Sequence, residues 1–288
     1  MSDIHNVAVL GFGTMGAGIA QTVAASGRPV TVLETGQDRI DAGLAHLRSF
    51  VDGGVRRGKL TEAGRDELLA RVRPVTDVAG LAGSDLVIEA VTERPDVKRE
   101  LLSRVAAVVS AEALIVTNTS ALSVTDLAGA VPNPERFAGL HFFNPAPVMK
   151  VVEVVRALQT APATIDRLAA FAEAIAKDPV VVKDRPGFLV NHLLIPYLND
   201  VITEYDHELA TAEDIDTALK LGLGYKLGPL ELLDLIGLDV HEHATRSAYD
   251  ATLDPRFAPP PLLRQMVAAG HLGAKNGQGF RTGKENAQ

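Results

Sequence analysis

The 288-residue chain has no cysteine. This excludes a disulfide framework, cysteine-ligated zinc, iron–sulfur clusters and thiol nucleophiles together. It also lacks an excess of basic charge. Lys and Arg number 28 against 36 Asp and Glu, a formal balance of −8, which argues against nucleic acid or an anionic membrane as the main partner. The N-terminal Met1-Ser2-Asp3-Ile4-His5 carries an acid rather than a basic n-region, so no targeting segment is expected. There is no internal repeat and no low-complexity tract. One uncharged run, from Asn6 to Gly27, is long enough to span a bilayer, but it contains Gly11, Gly13, Gly16, Gly18 and Gly27. The chain is therefore read as soluble and cytoplasmic, with no membrane partner.

What is present is an ordinary globular composition, 47% apolar and 22% charged. At roughly 150 residues per domain, the length points to about two domains. Asn6–Gly11 is a short apolar strand, Thr14–Ser26 has helical spacing, and Val30–Leu33 is a second strand ending at Glu34. Residues 38–81 read as charged, exposed helices. Strand patterns follow at Asp85–Ala90, Leu114–Thr117, Phe137–Phe143, Val151–Val155 and Val180–Val182, with helices at Val97–Val109 and Thr164–Ala176. Ser123-Val-Thr-Asp126 resembles a capping box opening a short helix. Strands alternating with helices predict an α/β fold, a Rossmann-like, doubly wound and mainly parallel sheet. After Lys183-Asp184-Arg185-Pro186-Gly187 the periodicity is helical only. The predicted domains are 1–184 and an all-α 185–288, with Pro196 kinking or breaking the first helix, Asn191 one turn into it, and 283–288 a frayed tail.

Gly11-Phe-Gly13-Thr14-Met15-Gly16 matches G-x-G-x-x-G between a strand and a helix, and Glu34 ends the next strand 23 residues after Gly11. Gly11 permits the tight turn, Gly13 lets backbone approach a pyrophosphate at the helix N-terminus, and Gly16 allows close helix–strand packing. Glu34 would accept hydrogen bonds from the adenosine ribose hydroxyls. A 2′-phosphate there would face a carboxylate, so NAD is expected rather than NADP.

Four polar residues draw attention further on. His141 ends a strand and Glu153 lies in the next. If the chain folds back about Pro147, both are equally far from the bend and face each other across neighbouring strands. An imidazole oriented by a carboxylate is a general base suited to an alcohol proton. Ser120 sits at the carboxyl edge of a predicted strand, where open α/β sheets bind ligands. Asn191 opens the helical part. Singly, each has an ordinary alternative: a strand-end histidine, a turn serine, an exposed asparagine.

Together they form a set. Asn118-Thr-Ser120-Ala-Leu, His141-Phe-Phe-Asn144-Pro-Ala-Pro-Val-Met-Lys150-x-x-Glu153 and Arg185-Pro-Gly-Phe-Leu-Val-Asn191 follow the glycine fingerprint in order. This resembles the 3-hydroxyacyl-CoA dehydrogenase family, in particular short bacterial 3-hydroxybutyryl-CoA dehydrogenases, over nearly the whole chain. The resemblance implies NAD-dependent oxidation of (S)-3-hydroxyacyl-CoA in fatty acid metabolism, no metal, and a C-terminal helical domain that makes a homodimer. It implies that His141 takes the 3-hydroxyl proton, that Glu153 orients His141, and that Ser120 and Asn191 hydrogen-bond the reacting oxygen or the thioester end. It places Gly11, Gly13, Thr14, Met15, Gly16, Glu34, Glu93, Lys98, Ser120, Asn144 and Lys275 at the cofactor. Ser49 and Lys59, beside Arg39, Arg48, Arg56 and Arg57, carry over as contacts to the acyl-CoA substrate.

The chain departs from the family at two places. Lys226 stands where an apolar residue or histidine is usual, which admits an acyl chain with a terminal carboxylate if the lysine faces the acyl pocket. In Gly273-Ala-Lys275-Asn-Gly-Gln-Gly-Phe280-Arg281 the family commonly has Arg or Lys at 274, Ser or Thr at 276 and Tyr at 281. The alternatives are a dehydrogenase of a free hydroxy acid or of a dicarboxylic acyl-CoA on the same fold, and a non-catalytic NAD-binding protein. A phosphogluconate-type dehydrogenase would rely on a catalytic lysine, and the His141–Glu153 context speaks against it.

Overall fold

The computed structural model describes residues 3–281. The chain divides at Asp184/Arg185 into two compact units. The first holds an eight-stranded sheet of β1 (Val7–Leu10), β2 (Val30–Leu33), β3 (Val72–Val75), β4 (Leu86–Glu89), β5 (Leu114–Thr117), β6 (Phe137–Phe142), β7 (Val151–Arg156) and β8 (Asp178–Lys183). The spatial order is β3-β2-β1-β4-β5-β6-β7-β8. Every pairing is parallel except β6 with β7. The strands VAVL, LVIE and LIVT are buried along their whole length, as continuous apolar runs must be when helices cover both faces.

Helices α1 (Thr14–Ala25), α2 (Gln37–Arg56), α3 (Glu62–Ala70), α4 (Pro95–Ala106), α5 (Val124–Ala128) and α6 (Pro162–Ala174) connect the strands. Helix α1 buries Gly16, Ala17, Ala20 and Ala24, small residues that let it lie close to the sheet. Phe137, Phe142 and Phe171 are fully or almost fully buried, each worth about 1.5–3 kcal/mol of apolar transfer. Ser123 accepts from the Asp126 N–H at 3.2 Å and so caps α5 as expected. Between β1 and β4 the strand order reverses direction, and ligands of such sheets bind at the carboxyl ends beside that point.

Residues 38–81 are not helical throughout. They contain β3, paired parallel to β2 at the sheet edge. The strand is four residues long and carries Pro74, which an edge position tolerates because one side of the strand needs no ladder donor. That brevity and that proline hid it from a reading of periodicity.

The second unit is helical: α7 (Val190–Asp206), α8 (Ala212–Leu223), α9 (Pro229–Ile236), α10 (Leu238–Thr252) and α11 (Pro261–Ala268). Leu198, Ile202, Leu230, Leu233, Leu238 and Leu263 form its core. Asp216 is buried in α8, and its carboxylate accepts from the Leu230 and Glu231 N–H groups at 2.8 and 3.1 Å, closing the start of α9. Two expectations need correction. Helix α7 begins at Val190, so Asn191 is its second residue rather than a turn inside. Pro196 does not break it; the helix runs on to Asp206, absorbing the loss of one backbone donor. The tail at 283–288 lies outside the described residues.

Candidate active site

The glycine turn does what its spacing predicts. Gly11 has φ 91°, and its N–H donates to the Leu33 carbonyl at 2.9 Å, joining the turn to the end of β2. A Cβ on Gly11 would press on the Ala90 carbonyl, and one on Gly16 would overlap the Gly11 carbonyl oxygen. Gly13, by contrast, opens on empty space and stands at the N-cap of α1 with no side-chain cap. The first-turn N–H groups are therefore available to an anion. A cavity of about 330 Å³ lies against this turn, lined by Gly11, Gly13, Glu34, Arg39, Val91 and Arg104 among others. Glu34 is mostly buried. Its Oε2 accepts from the Phe12 N–H at 3.0 Å, and its Oε1 accepts from the Thr35 N–H at 2.7 Å and the Thr35 hydroxyl at 3.0 Å. Burial opposes the charge, but these bonds and the Arg39 cation outweigh it and hold the carboxyl below its ordinary value. A carboxylate fixed as an anion at the end of β2 suits a ribose diol and repels a phosphate. The turn, the open space at Gly13 and the acid fit a dinucleotide without a 2′-phosphate.

His141 and Glu153 are directly opposite in the antiparallel β6–β7 register. Imidazole Nδ1 lies 2.8 Å from Glu153 Oε2, with Glu153 fully buried and His141 6% exposed. The His141 ring packs on Phe143 at 4.6 Å between centroids. With Nδ1–H given to the carboxylate, Nε2 keeps its lone pair and can accept a proton.

A third group of residues surrounds the carboxyl ends of β4 and β5. Glu89, fully buried, receives Lys98 Nζ at 2.6 and 2.8 Å, the Thr117 hydroxyl at 2.6 Å and the Val91 N–H at 2.7 Å. Lys98 is itself 1% exposed and also meets Glu93 at 3.2 Å. Glu93 Oε1 in turn accepts from the Thr119 hydroxyl, from the Ser120 N–H at 3.0 Å and from the Ala121 N–H at 3.3 Å. Burial works against the Glu93 charge, but Lys98 and the hydrogen bonds from Thr119 and Ser120 prevail and keep the carboxyl below its usual range. The expected residues Glu93, Lys98 and Ser120 thus belong to one connected cluster. The Asn118 side chain joins this edge to β6, accepting from the Phe142 N–H at 2.8 Å. Glu89, Thr117 and the structural use of Asn118 escaped the reading of the sequence. The available signal was an acid ending an otherwise apolar strand, Leu-Val-Ile-Glu89.

The other predicted residues are placed as follows. Thr14 is exposed and Met15 half-buried in the first turn of α1, and Asn144 is exposed in the β6–β7 loop. Ser49, on α2, and Lys59, just after it, are exposed. In the second unit Asn191 is half-buried, and Lys226 is exposed between α8 and α9. Lys275 is engaged by Asp239 at 2.6 Å. In the segment that departs from the family pattern, the Phe280 and Arg281 N–H groups donate to Asp234 at 2.9 and 2.8 Å, and the Arg281 guanidinium reaches Asp216 at 3.2 Å. Among the described residues no cluster of His, Cys, Asp and Glu could hold a metal ion, and no helix is long and apolar enough to cross a membrane.

Residues 6–185 match the family described as 3-hydroxyacyl-CoA dehydrogenase, NAD binding domain, and residues 187–283 match its C-terminal domain. A 3-hydroxybutyryl-CoA dehydrogenase of Mycobacterium tuberculosis is 42% identical over 98% of this chain and all of its own length. A 3-hydroxyadipyl-CoA dehydrogenase of Escherichia coli is also 42% identical over 97% of this chain, which spans 59% of that longer protein. The crystal structure of the (S)-3-hydroxybutyryl-CoA dehydrogenase PaaH1 from Ralstonia eutropha superposes with a TM-score of 0.93 at 39% identity, covering 98% of this chain and all of the other.

Proposed function

The chain belongs to the 3-hydroxyacyl-CoA dehydrogenase family, whose NAD-binding domain it carries, and from that premise we propose that it interconverts short-chain (S)-3-hydroxyacyl-CoA and 3-oxoacyl-CoA. The observation that carries this reading is the buried His141–Glu153 pair at 2.8 Å, on the sheet that also bears the glycine cradle and Glu34. His141 Nε2 takes the proton of the 3-hydroxyl. Glu153 holds the tautomer that leaves Nε2 unprotonated and stabilises the imidazolium once it forms. Bound NAD supplies the hydride acceptor. The turn at Gly11, Gly13, Thr14, Met15 and Gly16 binds its pyrophosphate and Glu34 its adenosine ribose. Glu93, Lys98 and Asn144 serve the nicotinamide end, and Ser120 and Asn191 hydrogen-bond the reacting oxygen or the thioester. Ser49 and Lys59 contact the CoA moiety. Residues 1–184 act as the cofactor domain and 185–288 as the substrate and dimerisation domain of a cytoplasmic homodimer. Exposed Leu221, Leu223, Leu235 and Val240 of the second unit support that last assignment.

The test is absorbance at the NADH band with acetoacetyl-CoA, NADH and NADPH run side by side. Rapid oxidation of NADH and slow oxidation of NADPH are expected. A protein that binds NADH yet turns over no 3-oxoacyl-CoA would refute the reading. A second substrate reading, a dicarboxylic acyl-CoA, is favoured by the substrate named for the Escherichia coli relative together with exposed Lys226. An arm with 3-oxoadipyl-CoA decides between them by the ratio of kcat/KM values.

A further inference from the structure

Lys177 lies in the short turn between α6 and β8 and is 6% exposed. Its ammonium donates to the Ala146 carbonyl at 2.6 Å and the Met149 carbonyl at 2.7 Å. Among the described residues no carboxylate pairs with it. Burial pushes its pKa down, as expected for a cation answered only by dipoles. The residue before it, Ala176, has φ 58°, a left-handed conformation that alanine rarely adopts. The turn thus commits its backbone to delivering this side chain inward.

The two acceptors belong to the loop that joins β6 to β7. That loop begins just after His141 and carries Asn144; it ends just before Glu153. It contains Pro145 and Pro147, which have no N–H to offer, and the Val148 and Met149 N–H groups are both spent on the Pro145 carbonyl. Lys177 brings these carbonyls a donor from outside the loop. On its other side the loop meets α1: a Cβ on Gly18 would sit 3.2 Å from Pro147 Cδ and 3.3 Å from Ala146 Cβ. The loop is held between a cation and a helix that begins at the dinucleotide turn.

We propose that Lys177 is a positioning residue for the reaction, fastening the β6–β7 loop so that Asn144 and the His141–Glu153 strands keep their working placement. This rests on the function proposed above. A misplacement of about 1 Å can lower a rate by up to about 100-fold without unfolding a protein.

The test compares wild type with Lys177→Met, which keeps the stem and removes charge and donors. Measurements are far-UV circular dichroism, the Kd for NADH by fluorescence, and kcat and KM with acetoacetyl-CoA, all well below the variant's Tm. A folded variant with kcat lowered about tenfold or more and NADH binding weakened severalfold supports the proposal. A variant with a lower Tm but unchanged kcat, KM and Kd overturns it, because a purely structural lysine predicts that pattern. If Lys177→Met does not fold, Lys177→Gln carries the test, keeping an amide donor while removing the charge and shortening the reach to the two carbonyls. Reduced kcat or weakened NADH binding in that folded variant supports the proposal, and wild-type constants overturn it. If wild type itself turns over no 3-oxoacyl-CoA, the functional reading fails separately, and the Kd for NADH alone decides the role of Lys177.

Discussion

Replacing Glu153 by Gln probes the pair on which the function depends. Gln is nearly isosteric, so the buried slot between β6 and β7 stays filled. What changes is charge and proton bookkeeping. The native carboxylate accepts only, and at 2.8 Å from Nδ1 it permits one neutral tautomer, the one with the lone pair on Nε2. A Gln amide offers either a donor or an acceptor, so that tautomer is no longer enforced. The imidazolium formed during alcohol oxidation also loses its counter-charge. With charge centres roughly 4 Å apart and an effective dielectric near 20, that attraction is about 4 kcal/mol. At about 1.4 kcal/mol per decade this corresponds to a loss of about 10³ in kcat, within the range of about 10²–10⁴ for a disabled general base. Steady-state NAD reduction with (S)-3-hydroxybutyryl-CoA measures it, and NADH fluorescence confirms that cofactor binding is retained. A folded, NADH-binding Glu153→Gln enzyme within about threefold of wild-type kcat would refute the assignment of His141 as the base and Glu153 as its partner.

Glu34→Ala removes the acceptor for the Phe12 and Thr35 N–H groups and the negative charge facing a 2′-phosphate; the ratio of kcat/KM for NADH over NADPH is expected to fall by about tenfold or more, and an unchanged ratio would remove Glu34 from cofactor selection. Lys226→Met is expected to leave acetoacetyl-CoA turnover intact and to lower kcat/KM for a dicarboxylic substrate; equal effects on both would show that the lysine does not read the acyl end. His241, buried and bonded to Asn199 at 3.1 Å, has its pKa pushed down to about 4 by burial, against 6.5 for a free imidazole. It is neutral in the fold and takes a proton more readily when unfolded. Stability is therefore lost as pH falls below about 6.5 and levels off below about 4, with about 2 kcal/mol gone by pH 5. Urea midpoints at pH 7.5 and 5 measure this, and a His241→Gln protein with the same pH dependence would assign the effect to other groups.

Much of the site is legible along the chain because its parts are local or symmetric about a turn. The glycine fingerprint lies within one strand–turn–helix unit. Gly16 has no alternative, since any side chain there would strike the Gly11 carbonyl. His141 and Glu153 are equally spaced from Pro147, so folding back determines their register. Ser123 caps α5 through a contact only three residues away. Strand β3 was not legible, because four residues with a proline show no period.

Local sequence sets most of the strands and helices, β3 excepted, as well as the place of the dinucleotide turn and the acid that meets it. Those features follow from backbone freedom, apolar period and nearest-neighbour geometry. Tertiary structure alone decided the partners of the charged residues. Lys98 sits in a charged helix, yet it is almost fully buried, and the carboxylates of Glu89 and Glu93 make that burial tolerable. Glu89 meets Thr117, 28 positions away, because β4 and β5 are parallel neighbours. Lys177 meets the carbonyls of 146 and 149 because β8 adds to the sheet beside β7. A buried charge must find its dipoles wherever the strand order brings them, and strand order is a property of the whole sheet.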